Sequence, residues 1–148
     1  MALMYPSYIW SGSPIYRSAR TSTDSNQLTS VGETFTVTAA QLTLNAVLGS
    51  IRVPAGAEIA FVQLTSTDID TNGSPTVTLS IGDVDDDDRL LLANTIGQTG
   101  AVPVGPTIAT TGMGYRYPAE TLVQIKVKVA PATAAAGTLG YIVHYVSQ

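Results

Sequence analysis

The chain has 148 residues, 45% of them hydrophobic and 12% charged, with a formal net charge of −4. That length suits one domain with a core able to stand without staples. Seven Lys and Arg, scattered among eleven Asp and Glu, leave no phosphate-binding footprint, so nucleic acid is not an expected partner. Cysteine is absent, which removes disulfides and thiolate metal sites. No apolar run approaches the roughly 20 residues of a membrane helix, and the start, MALMYPSYIWSGSP, does not read as a signal peptide. The charged share is about half the usual ~25%. A surface of Thr, Ser, Val, Ala and Gly suits pleated sheet, and it suits contact with other subunits, whose interface cores are poor in charge.

Residues 1–32 are expected to form an extended N-terminal arm and linker, and residues 33–148 a β-sandwich domain. In the arm, Tyr5, Tyr8, Trp10 and Tyr16 sit among Pro6, Gly12, Pro14 and several serines with no sustained period. These rings either cover an edge of their own sandwich or anchor the arm on a neighbouring subunit. Ser18–Ser30 is mostly hydroxyl and amide side chains and reads as a loop. The first strand is predicted at Glu33–Ala39, with Phe35 and Val37 inward. Leu42–Leu48 fits a second strand or a short helical turn, and Ser50–Val53 an extended piece halted by Pro54-Ala55-Gly56.

Glu58–Thr67 carries Ile59 and Phe61 on one face and Ala60, Val62 and Leu64 on the other, which predicts a central strand or one whose second face meets a partner. In Thr76–Ala93, Val77, Leu79 and Ile81 alternate with Thr76, Thr78 and Ser80, the period of a half-buried strand. Asn72-Gly73 favours a tight reversal, so 58–81 is predicted to be an antiparallel hairpin. Gly82 ends that strand, an acidic run follows, and Leu90–Ala93 is apolar again. Residues 94–114, broken by Gly97, Gly100, Pro103, Gly105, Pro106, Gly112 and Gly114, read as a long loop with a short strand near Thr107–Thr111. Glu120–Val129 turns Val123, Ile125 and Val127 one way, and Lys126 and Lys128 the other, where they would guard an edge. Gly137–Ser147 alternates Leu139, Tyr141, Val143 and Tyr145 against Ile142, His144 and Val146, and would close a terminal hairpin. The sum is an all-β sandwich, jelly-roll-like, with an N-terminal arm.

The acidic cluster Asp83, Asp85, Asp86, Asp87 and Asp88, with Asp68 and Asp70 upstream, is the one unusual concentration of charge. Hard cations take six to eight oxygens, so a calcium site is one reading. The spacing matches no EF-hand, and adjacent carboxylates on an extended backbone cannot all reach one ion. A solvated acidic turn, with an Asp capping the next segment, is the expected arrangement; docking to a basic partner is the third. His144 is the only histidine and sits mid-strand, and no G-x-S-x-G elbow supplies a nucleophile, so no catalytic residue is assigned. Gly112-Met113-Gly114-Tyr115-Arg116-Tyr117 has no following helix to make it a phosphate loop. Its Tyr115, Arg116 and Tyr117, together with the arm aromatics, are the candidate partner-binding residues. Tyr8, Trp10, Tyr115 and Tyr117 also allow a sugar-stacking platform.

The run Val53-Pro54-Ala55-Gly56-Ala57-Glu58-Ile59, the strand ending Asp68-Ile69-Asp70, and Leu79-Ser80-Ile81-Gly82-Asp83 with Asp86-Asp87-Asp88-Arg89 resemble small structural proteins from the head genes of tailed bacteriophages. These are the capsid decoration, or cement, proteins. The likeness spans about residues 50–146 and ends in the strand opening Gly137-Thr138-Leu139-Gly140-Tyr141. It implies a non-enzymatic subunit without cofactors, commonly a homotrimer, that binds the major capsid protein lattice on the outer surface of the virion. Another virion component (head–tail connector, tail tube or fibre knob) and a carbohydrate-binding sandwich are the alternatives.

Overall fold

The computed structural model describes residues 27–100 and 103–147. Its strands are β1 (Leu28–Val37), β2 (Val47–Val53), β3 (Glu58–Ser66), β4 (Thr78–Gly82), β5 (Leu91–Asn94), β6 (Val104–Thr107), β7 (Thr121–Val129) and β8 (Gly137–Val146). They form two four-stranded sheets, ordered β1-β8-β3-β6 and β2-β7-β4-β5. Pairing is antiparallel and nested: β1 with β8, β2 with β7, β3 with β6, β4 with β5. The chain is a two-sheet β-sandwich.

Period-two alternation puts one face of each sheet into the core. Val123, Ile125 and Val127 of β7 and Leu139, Tyr141 and Val143 of β8 are almost wholly buried, each side chain contributing about 1.5–3 kcal/mol. Tyr141 also crosses between the layers, its hydroxyl donating to the Val123 carbonyl at 3.1 Å. Burial pushes its phenol well above the usual range.

Several expectations need correction. β1 begins at Leu28, so Leu28–Ser30 are strand, paired with Val146–His144, although composition reads them as loop. Thr and Ser accept a strand when a neighbour supplies the ladder, and Leu28 and Val31 alone are too sparse to announce it. The short helical turn is at Ala39–Gln41, where Thr38 N–H donates to Gln41 Oε1 at 2.8 Å, and β2 absorbs Ser50–Val53. β6 lies at Val104–Thr107, upstream of the predicted strand; residues 109–113 turn instead, with Gly112 and Met113 N–H both donating to the Ala109 carbonyl.

β3 is a central strand, flanked by β8 and β6. Its register shifts between Ile59 and Phe61, a bulge that turns Ile59, Val62 and Leu64 all inward. Phe61 then faces out and stacks on His144 with ring centroids 4.1 Å apart. The bulge, and not a second buried face, explains the apolar residues of both parities.

The predicted hairpins do not form. β3 and β4 lie in opposite sheets, and so do β7 and β8. The connections 67–77 and 130–136 both cross between layers, and they meet at Asp70, which is 1% exposed. Its Oδ2 accepts the N–H groups of Thr76 (2.7 Å), Val77 (3.1 Å) and Ala132 (2.9 Å), and its Oδ1 that of Thr133 (2.8 Å). Burial alone would raise this carboxyl's pKa, but the backbone donors outweigh it and hold it well below the usual range. Asn72-Gly73 is therefore part of a crossover clasped by Asp70. β7 is likewise interior, between β2 and β4, so Lys126 and Lys128 guard no edge.

Asp70→Ala would strand four amide donors, two from each crossover. It is expected to cost roughly 3–5 kcal/mol in urea unfolding, with Asp70→Asn intermediate. A loss under 1 kcal/mol for the alanine variant contradicts the clasp.

Candidate functional site

Two motifs that are separate in sequence come together on the second sheet: the acidic loop 83–90 and the segment 112–117. The loop connects β4 to β5 and folds back across β4. A Cβ on Gly82 would collide with the Asp86 carbonyl oxygen and the Asp87 backbone, so only glycine admits the loop this close. The turn is built by its first aspartate. Asp83 Oδ1 accepts the Asp85 and Asp86 N–H groups at 3.0 Å each, and Asp83 N–H donates to the Asp86 carbonyl at 2.9 Å.

Asp83 is 3% exposed, and its Oδ2 accepts Arg89 Nε–H at 2.6 Å and the Tyr117 hydroxyl at 2.9 Å. The Arg89 guanidinium lies 4.0 Å above the Tyr115 ring centroid, and Tyr115 meets Tyr117 edge-on at 5.0 Å. Further along, Ser80 Oγ donates to the Asp87 carbonyl at 2.8 Å. The Asp87 carboxylate takes Lys126 at 2.9 Å and Lys128, whose Nζ is also 3.5 Å from Asp88. The loop thus covers the outward side of β4 and β7, which is why Ser80 is fully buried although its side chain points away from the core.

The electrostatics follow from these partners. Burial would raise the Asp83 pKa, but Arg89, Tyr117 and the turn amides outweigh it and lower the value. Asp87 is lowered by Lys128 and Lys126, and Arg89 and Lys128 are raised in return by Asp83 and Asp87. Burial, and then the carboxylate beside it, pushes the Tyr117 phenol far up. These acids are fixed as anions and this phenol as neutral across the ordinary pH range. None is tuned toward neutrality as an acid–base catalyst would be.

Among the described residues no three His, Asp or Glu side chains converge as a cation would need. Asp68 and Asp70 sit at the crossover, Asp83 is enclosed, and Asp87 is on its lysines. The basic partner of the acidic run lies within the chain itself. Arg52–Glu120 and Arg116–Glu58, both at 2.8 Å, complete the pattern: every Lys and Arg among the described residues is ion-paired.

Of the candidate partner-binding residues, Tyr117 is 2% exposed and committed to Asp83, Tyr115 is half-buried, and Arg116 is exposed on its pair with Glu58. Met113, 69% exposed, is the outermost apolar side chain of that segment. Tyr5, Tyr8, Trp10 and Tyr16 lie outside the described residues. His144 forms a small outward network: Nδ1 is 2.7 Å from Ser30 Oγ, Nε2 3.0 Å from Gln63 Oε1, and burial lowers its pKa. Asp70 was missed as a structural centre, although the Asp-Ile-Asp-Thr-Asn-Gly string marks it as a place for side-chain-to-backbone turns.

Asp70, Asp83 and Asp87 all titrate lower folded than unfolded. As pH falls through about 4, the unfolded chain binds protons first. The stabilisation is complete above about pH 5 and is lost progressively below about 4. The thermal midpoint should slip as pH falls below about 6.5, where the unfolded chain protonates His144 first, and fall further below about pH 4; an unchanged midpoint at pH 2.5 contradicts the ion-pair assignments. Because the carboxylates are engaged by protein donors, chelation with EDTA should leave the midpoint unmoved, whereas a large drop would establish a cation site.

No protein-family model and no curated sequence matches the chain. Solved structures do. A chain in the capsid asymmetric unit of cyanophage Pam1 aligns with a TM-score of 0.69 and 29% identity, over 83% of this chain and 86% of that one. A chain in the capsid of Ralstonia phage GP4 aligns with a TM-score of 0.68 and 27% identity, over 82% and 85%. The acidic stable capsid of Helicobacter pylori bacteriophage KHP30 shares the fold, with a TM-score of 0.54 and 18% identity over 83% and 94%. The structures this chain resembles, over most of its length and theirs, are phage capsids, and its character is that of a capsid-associated structural protein.

Proposed function

We propose that the chain is a capsid decoration subunit, which sits on the outer surface of the shell, bridges copies of the major capsid protein and strengthens the head without catalysis or cofactor. The observation that carries this reading is the near end-to-end match to a chain of similar length within a capsid asymmetric unit. The nested strand pairing supports the jelly-roll form common among capsid proteins. Low charge and paired cations fit attachment by shape and area, at roughly 25 cal/mol per Å² before association costs. Modest contacts engaged together on a lattice then multiply in avidity. A homotrimer with its arms on neighbours, and with Arg116 and the Tyr115 edge toward the shell, is the arrangement in keeping with these features.

Shells purified from particles lacking this protein provide the test. The purified chain should co-sediment with them and appear in a density map as added mass outside the shell, whereas a chain lacking residues 1–17 should stay folded and bind more weakly. Absence from heads with presence in tails, or no binding to bare shells, contradicts the reading.

A further inference from the structure

The two outward faces of the sandwich differ in kind. The face of the second sheet is charged and occupied, with Asp87 on Lys126 and Lys128 and Arg52 on Glu120. The middle of the first sheet's face is neutral, its charge confined to the Glu58–Arg116 pair at one end and Glu33 at the rim. Across β1, β8 and β3 its rows read Ser30/His144/Phe61, Gly32/Ile142/Gln63 and Thr34/Gly140/Thr65, with no Lys, Arg, Asp or Glu among them. Gly32 and Gly140, in adjacent rows, strip side chains from the surface and leave a depression of about 350 Å³, with Ile142, Thr34 and Thr65 around it and Glu33 on the rim. A Cβ on Gly140 would press on the Thr65 and Thr34 hydroxyls at 2.8 and 3.0 Å, so glycine keeps that floor clear.

We infer that this face is the docking surface for the aromatic N-terminal segment of a neighbouring copy of the same chain. The inference rests on the multi-copy reading above and names the receptor for the arm. Size is the first argument. Three strands about 4.8 Å apart and some 30 Å long present roughly 400 Å², about half of the ~800 Å² per partner that a stable interface of folded domains buries. The face is too small for that and right for one extended segment with an anchor in the depression, whose volume is in the range of ligand pockets.

Chemistry is the second argument. Residues 1–16 contain no Lys, Arg, Asp, Glu or His, yet carry Tyr5, Tyr8, Trp10 and Tyr16, a neutral aromatic match for a neutral face. Geometry favours the neighbour over the same copy. β1 runs from Leu28 toward Thr34, so the strand begins in the row Leu28/Val146/Glu58, at the end of the face away from the depression. Twenty-six extended residues reach about 85 Å, ample for an adjacent subunit.

Trp10 is the only tryptophan, so its fluorescence reports on the segment directly. In the free full-length protein its emission should be blue-shifted at high concentration and move red on dilution as copies part. The double variant Thr34→Lys/Ile142→Lys, both positions exposed, should show red emission at every concentration, with unchanged circular dichroism and thermal midpoint. Thr65→Lys, on the opposite strand, repeats the test should the double variant misfold. Trp10→Ala should weaken self-association at least tenfold by sedimentation. Red emission of the native protein throughout, blue emission independent of dilution (the segment on its own copy), or a depression variant that behaves as native each overturns the inference. No shells are present in these measurements. Loss of shell binding with the dilution-dependent shift intact would therefore sink the decoration reading while supporting this one.

Discussion

The fold depends on one buried carboxylate. A sandwich whose strands alternate between sheets must carry its chain over the open ends, and those crossings expose amides that no strand partner can satisfy. Asp70 gathers four such amides, from Thr76 and Val77 where β4 begins and from Ala132 and Thr133 between β7 and β8. An anion that accepts several backbone donors is worth more than the same number of neutral bonds. Both crossovers therefore close on one atom pair, and the two layers are tied at that end by something stronger than side-chain packing alone.

The same device recurs at Asp83, with a different result. There a buried aspartate organises a surface loop, and Arg89, Tyr115 and Tyr117 fasten that loop to the framework. Asp87 then consumes the two lysines of β7. Much of what looks in sequence like a reservoir of negative charge is spent inside the molecule, with Asp85 alone of the run exposed. The outside is left mostly to hydroxyls, small apolar groups and a few paired ions. Such a surface gives little long-range steering, but it can be matched closely by another surface. That is the physical character expected of a part held in an array by shape, and it agrees with the capsid structures the chain resembles.

Strands with strict alternation were legible from the residues alone. β7 and β8 lie within a residue or so of their predicted spans, because Val, Ile and Tyr against Thr, Lys and His state the period clearly. Partnership was not legible. Asn72-Gly73 signals a local reversal, and what overrides it is Asp70 bonding to residues 62 and 63 positions away. Lys126 reads as an edge guard because its partner, Asp87, is 39 positions distant. The bulge in β3 hid which face Phe61 takes. In the candidate site, the acidic run and the Gly-Met-Gly-Tyr-Arg-Tyr segment each stood out as unusual. Their union through Tyr117 and Asp83, 34 positions apart, is a property of the folded chain only.

If Asp70 makes the crossovers part of the framework, the amides of Thr76, Val77, Ala132 and Thr133 are not loop amides in any energetic sense. Native-state hydrogen exchange measures this directly. The account predicts that all four exchange only with global unfolding, their opening free energies within about 1 kcal/mol of those of the β7 core amides of Val123, Ile125 and Val127. Exchange of these four amides orders of magnitude faster than β7, while the sheets remain protected, would contradict it.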